Sequence, residues 1–214
     1  MHPEPDKEMT ELERLMWDIY DYVRDKGARI YEGGASVAEA TYLRELAASS
    51  GSRRVAEIGF NVGFSSIAFL ESGPDLRVVS FELDRRHAVE VAKEFVDERY
   101  TGRHELVIGN SLDTLPAYAD TNTEPFDLVF VDGGHEYEVA VADILNAHRL
   151  GKPGGLIVVD DVIPWYPWGI GPHKAWHEAI ARGLIEPIES LVDGNRVEEI
   201  VEPGDRAWVA GRFR

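Results

Sequence analysis

Apolar and polar positions change rhythm about a quarter of the way along the chain. Leu12, Leu15, Met16, Ile19 and Val23 recur at helical spacing behind Thr10 and Glu13, a capping-box pair. "YEGGA" breaks that helix. Ser36 and Glu39 open a second one carrying Val37, Ala40, Leu43 and Ala47, and Gly51 stops it. From residue 53 short apolar runs alternate with amphipathic ones. Strands are expected at "RRVAEI", "RVVSFE" (77–82), "HELVI" (104–108), "FDLVFV" (126–131) and "LIVVD" (156–160). Helices are expected between them, from about Gly63 to Glu71, from Asp84 to about Arg99, from Ser111, and up to Leu150, where "GKPGG" punctuates. "VIPWYPWGIGP", with three prolines and two glycines, reads as irregular, and a helix follows from about Pro172. Two or three strands close the chain around "IEPIESLV", "RVEEIV" and "RAWVAG".

Alternating strand and helix predicts an α/β fold, a doubly wound and mostly parallel sheet of seven strands with helices on both faces. The 214 residues suit one domain, with residues 1–50 as added N-terminal helices and 163–175 as an aromatic loop. Ligands of such folds lie beyond the carboxyl ends of the strands, where the strand order reverses. Residues to examine are therefore Gly59 to Gly63, Glu82, Gly109 to Ser111, Asp132 to His135, and Asp160 with Asp161.

Composition narrows the chemistry. The 22 Lys and Arg stand against 39 Asp and Glu, a net charge of −17 at pH 7, which disfavours nucleic acid as a partner. There is no cysteine, so disulfides, thiolate metal sites and cysteine nucleophiles drop out together. "MHPEPDKEMT" does not read as a signal peptide and no apolar run is long enough to span a bilayer, so a cytoplasmic protein without membrane contact is expected.

A dinucleotide turn needs G-x-G-x-x-G, but Asn61 stands where the middle glycine would touch the pyrophosphate. The strand ends are acidic instead, with Glu57, Glu82 and Asp132. A positively charged cofactor without phosphate, S-adenosylmethionine, fits better than NAD. Glu82 follows Gly59 by 23 residues, the interval for an acid that accepts ribose hydroxyls. Each of these residues singly also fits a structural role; the ordered set on strand ends points to a ligand.

"VAEIGFNVGFSS", "SFELD", "GNSLDTLP", "FDLVFVDGGHEYE" and "GGLIVVDDV" together resemble the motifs of class I S-adenosylmethionine-dependent methyltransferases. More narrowly they resemble small-molecule O-methyltransferases of the catechol and macrocin (antibiotic-sugar) types, over about residues 30 to 162. The resemblance implies that Glu57, Gly59, Asn61, Gly63 and Ser65 surround the methionine moiety. It implies that Glu82 holds the ribose, that Leu83 and Ser111 flank the adenine, and that "GGAS" (33–36) closes over the cofactor.

Asp132 ends the fourth strand, and Asp160 and Asp161 end the fifth. Adjacent parallel strands lie about 4.8 Å apart, so their terminal carboxylates can converge. Carboxylates that close repel unless a cation or proton intervenes, and Mg²⁺ is the hard divalent ion expected. The same set matches the metal ligands of the family's Mg²⁺-dependent members. Asp161, where the catechol type commonly has Asn, looks more like the macrocin branch. His135 falls at the position of the general base, able to deprotonate an acceptor hydroxyl.

Trp165, Tyr166, Trp168 and Trp176 crowd the loop beyond these aspartates, where they could line an acceptor pocket or pack the loop onto the sheet. His87, His104 and His148 are expected at the surface. His173 and His177 could face one way on their helix, without the acidic motif of a zinc site. The expected partner is a small hydroxylated acceptor, and a homo-oligomer stays open. Other readings are a metal-independent N- or C-methyltransferase, a non-catalytic S-adenosylmethionine-binding protein, and an NAD-linked oxidoreductase.

Overall fold

A computed structural model describes residues 9–30 and 33–214. The first eight residues, with most of the "MHPEPDKEMT" stretch, and the Tyr31–Glu32 part of "YEGGA" lie outside the described residues.

Helix α1 (Glu11–Asp25) starts at Thr10, whose hydroxyl accepts the Glu13 amide at 3.1 Å. Helix α2 (Val37–Ser50) has the full reciprocal cap. Ser36 Oγ accepts from the Glu39 amide and Glu39 Oε2 accepts from the Ser36 amide. Gly51, at φ 67°, ends it as a left-handed cap. Then come β1 (Arg54–Ile58), α3 (Phe64–Leu70), β2 (Arg77–Glu82), α4 (His87–Arg99), β3 (His104–Ile108), α5 (Ser111–Thr121), β4 (Phe126–Val131), α6 (Tyr137–Leu150) and β5 (Gly151–Val159). Helix α7 (Ile170–Ala181) leads to β6 (Ile185–Val192), β7 (Asn195–Val197) and β8 (Ala207–Phe213).

The strands form one sheet in the order β3-β2-β1-β4-β5-β8-β6-β7, parallel through β5 and antiparallel beyond it. From β1 the chain winds outward through β2 to β3, then returns to β4 on the other side of β1. The switch point therefore lies between β1 and β4. Alternation along the strands divides the core. Val55, Val78, Leu128, Phe130 and Val158 pack with α1 to α4. Ala56, Val79, Val129, Val131 and Val159 pack with α5, α6 and α7.

Four boundaries differ from expectation. The sheet has eight strands, because the Asp193–Gly194 turn lets Asn195, Arg196 and Val197 pair back on β6 as β7. "GKPGG" belongs to β5, whose register against β4 breaks between Phe126 and Leu128 and so absorbs the glycines as a bulge. Helix α4 starts later than Asp84, because the Asp84 amide points at the Glu82 carboxylate and the chain turns first. Helix α7 starts two residues before Pro172, which is tolerated because first-turn amides have no partner within the helix.

At the switch point two backbones touch. Gly59 has φ 96°, and a Cβ built on it would lie 2.0 Å from the Asp132 carbonyl oxygen. Gly59→Ala should therefore lower unfolding free energy by roughly 3 kcal/mol or more. Gly102→Ala, also at positive φ (72°) but in open space, should lose only about 1–2 kcal/mol. Urea titrations of the two variants check this, and equal losses would remove the special status of the β1–β4 contact.

Candidate functional site

The turn after β1 is held by the acid at the end of β2. Glu82 Oε2 accepts the amides of Phe60 and Asn61 at 3.2 and 2.8 Å. Asn61 takes a left-handed φ of 48°, and its side-chain amide donates to the Gly33 carbonyl at 3.1 Å. Gly63, at φ 78°, caps α3, and a Cβ there would press on the Phe60 ring. The second Glu82 oxygen faces the Asp84 amide and the Arg86 guanidinium at 3.4 and 3.5 Å. Leu83 beside it is 61% exposed, an apolar ledge for a flat ring. Ser111, half-buried, opens α5 across the gap.

Glu57 lies beneath this turn and not on its open side. Its carboxylate is fully buried and accepts the hydroxyls of Ser66 and Ser80, with buried Ser65 also directed at it. Ser80 Oγ is 2.9 Å from His104 Nε2, and the His104 ring stacks on Phe60. Burial pushes Glu57 up to about 7, against the serine hydrogen bonds that pull it down. Burial holds His104 neutral, down at about 3, so this expected surface histidine is a core residue.

Strand alternation separates the aspartates. Asp160 continues the face of Val158 and points toward α2, where its carboxylate faces that of Glu39. Asp161 breaks the alternation with φ 56°, and its Oδ2 lies 2.9 Å from His135 Nε2. The ligand atoms of Asp132, His135 and Asp161 all fall within 4.8 Å of one another. The convergent set thus contains His135 in place of the expected Asp160. With Pro172 these residues line a small cleft. Burial, then Asp160 and Asp161, raise Asp132 well above the usual carboxylate range. Burial, then Asp161, push Asp160 up to about 7. The repulsion that raises them is what a bound divalent cation relieves, so this oxygen-rich donor set fits one. Asp161 raises His135 above 6.5, through the hydrogen bond first and charge second, against burial.

Residues 56–162, from β1 through this acidic centre, match a family described as methyltransferase domain. The chain belongs to that family. It is 43% identical over 130 residues to a catechol O-methyltransferase from Mycobacterium tuberculosis, covering 60% of this chain and 56% of that protein. Against a catechol O-methyltransferase from Niastella koreensis it is 30% identical over 127 residues, covering 57% and 55%. It thus spans a little over half the length of these curated relatives. The crystal structure of cofactor-bound Rv0187 from MTB superposes with a TM-score of 0.78 at 26% identity, covering 100% of this chain and 99% of that one. An O-methyltransferase from Bacillus cereus in complex with SAH shares the fold at TM-score 0.74 and 21% identity, covering 97% and 93%.

Two residues beside this cluster escape the motif reading. Glu39, completely buried on α2, reaches the aspartates from above, and Arg206, just before β8, pairs with it at 3.6 Å. Burial first, then Asp160 and Asp132, raise Glu39 well above its ordinary range. Glu39 was readable only as the cap of α2. Its flanking positions Tyr42 and Leu43 are buried, which marks its face as inward. The aromatic loop divides. Trp176 is core, 4% exposed, whereas Tyr166 and Trp168 stack at 4.5 Å with Trp168 44% exposed. His173 and His177 do face one way, with Nε2 atoms 3.2 Å apart.

The buried Glu57 has a pH signature. Its folded-state value near 7 lies above the unfolded 4.5, so the native protein binds the extra proton. That contribution is complete below pH 4.5 and is lost as pH rises to about 7. Glu57→Gln, which cannot ionise, should flatten the fall in stability over this window in denaturant titrations. A slope identical to that of the parent would show that Glu57 is ionised in the fold.

Proposed function

We propose that this chain transfers a methyl group from S-adenosylmethionine to a hydroxyl of a small molecule. One observation carries the reading: Asp132, His135 and Asp161 converge beside a glycine turn whose amides are already taken by Glu82. Those amides are not available to a pyrophosphate, which speaks against a dinucleotide. Glu82, whose second oxygen has only the longer contacts to the Asp84 amide and Arg86, the exposed Leu83 and the carboxylate of Asp132 suit a cationic nucleoside with ribose hydroxyls. A net charge of −17 supports a small acceptor over nucleic acid, and no helix among the described residues is long and apolar enough to cross a membrane. The acidic, cysteine-free composition supports a cytoplasmic setting.

In the reaction an acceptor oxygen forms a bond to the methyl carbon as the carbon–sulfur bond breaks, and sulfur keeps the electron pair. The hydroxyl proton must leave. In neutral His135 the Nε2–H donates to Asp161 Oδ2, which leaves Nδ1 as the accepting atom. Asp161 orients the ring and strengthens it as a base. Asp132 and Asp161, with His135 adjacent, are the residues that would hold a divalent cation, Mg²⁺ by the hardness of the oxygens. Such an ion supplies positive charge that lowers the pKa of an acceptor hydroxyl. The His135–Asp161 contact also favours a second reading, in which the pair removes the proton without any metal.

Methylation of catechol, followed by mass spectrometry, tests the proposal. Excess EDTA should abolish turnover and Mg²⁺ restore it; full activity in EDTA selects the metal-free reading. His135→Ala should lower kcat by roughly 10²–10⁴-fold. It should also remove the acid limb of the pH profile, which in the parent falls above pH 6.5 because Asp161 raises the His135 pKa. A normal kcat at neutral pH in that variant would discard the base.

A further inference from the structure

Arg206 stands where four parts of the chain meet. On its inner side it pairs with Glu39 of α2, and its Nη2 lies 3.4 Å from where a Gly33 side chain would begin. Immediately before it, Gly204 and Asp205 are tied to the aromatic loop. Trp165 Nε1 donates to the Gly204 carbonyl at 3.0 Å, and Tyr166 Oη donates to Asp205 Oδ1 at 3.2 Å. The stacked Tyr166–Trp168 pair is thus tied, through Tyr166, to the residue that precedes Arg206.

The guanidinium is underused. Its ion pair with Glu39 is 3.6 Å long, and among the described residues its side chain makes no hydrogen bond. Its side chain is 36% exposed. Were its only task to neutralise the acids, a short paired geometry with Glu39 would be expected, because a planar fork matches a carboxylate with two parallel bonds. The inner acids Glu39, Asp132 and Asp160 repel an anion from the base of the cleft. An anion is therefore held only at the rim, on the outward face of the fork.

Resting on the methyl-transfer reading, we infer that Arg206 selects acceptors that carry a carboxylate, binding it at the rim while the acceptor ring lies along Tyr166 and Trp168. The hydroxyl to be methylated then points inward to Asp132 and His135. The substrate class is a flat hydroxylated acid.

A carboxylate could also come from the amino-acid end of the methyl donor, and the experiment separates the two sources. Wild-type enzyme is assayed with 3,4-dihydroxybenzoate and with its methyl ester, a neutral analogue. The acid should have the larger kcat/KM, by roughly 10–100-fold, the worth of a charged hydrogen-bonded pair. Arg206→Gln should bring that ratio close to one, and Arg206→Lys should keep part of it. An ester used as well as the acid overturns the inference, as does a ratio that Arg206→Gln leaves intact. Calorimetry with S-adenosylhomocysteine gives the other arm. If Arg206→Gln loses that affinity and keeps the acceptor ratio, the fork serves the donor and the acceptor assignment falls. Should neither compound be methylated, the methyl-transfer reading fails on its own. Calorimetric binding of acid against ester to the wild-type protein still reads the preference, and needs no variant to fold.

Discussion

Carboxyl groups crowded at one end of a sheet are the constraint on which the rest of this structure depends. Asp132 and Asp161 present oxygens within 4.8 Å of each other, and Asp160 and Glu39 lie directly behind them. At such separations each fully charged pair repels by roughly 3 kcal/mol in a medium of effective dielectric near 20. Several such pairs would consume a large share of the ~5–15 kcal/mol by which a domain is stable. The fold keeps them together with a raised proton affinity on the buried pair, Arg206 and His135 alongside, and strand ends that are hydrogen-bonded to their neighbours. The Asp132 amide bonds to the Ile58 carbonyl, and the Asp160 amide to that of Val131, both at 2.9 Å. What remains uncompensated is an electrostatic preference for a cation, be it a metal ion or a sulfonium.

The cluster is assembled from distant parts of the chain. Glu39 comes from a helix that precedes the first strand, the aspartates from the switch point, and Arg206 from the segment entering β8. Glu82 ties the glycine turn down with one oxygen and faces Asp84 and Arg86 with the other, while Glu57 braces the turn from below through Ser66 and Ser80. The acidic floor, the apolar ledge at Leu83 and the aromatic loop are therefore separate surfaces contributed by different segments of the chain.

Much of this was legible from residue order. Near-continuous apolar runs such as "FDLVFV" placed β1 to β5, because parallel strands buried on both faces have little freedom to vary. Asp132, Asp160 and Asp161 were found because each ends such a run. Which way each carboxylate turns was not legible: it depends on alternation carrying Asp160 toward α2 and on the left-handed backbone of Asp161. His104 looked like a surface residue until Ser80 and Phe60, remote in sequence, enclosed it. The bulge in β5 escaped because glycines that break a helix can also be absorbed within a strand. Arg206 has no local signal, since its neighbours are acids and glycines brought by the tertiary fold.

Titrating the folded protein by calorimetry with S-adenosylhomocysteine and, separately, with NAD tests most directly whether the acidic strand ends and the closed glycine turn hold a phosphate-free nucleoside. The account predicts saturable heat with S-adenosylhomocysteine and none with NAD. Binding of NAD, or no heat with S-adenosylhomocysteine from protein shown to be folded, would contradict it.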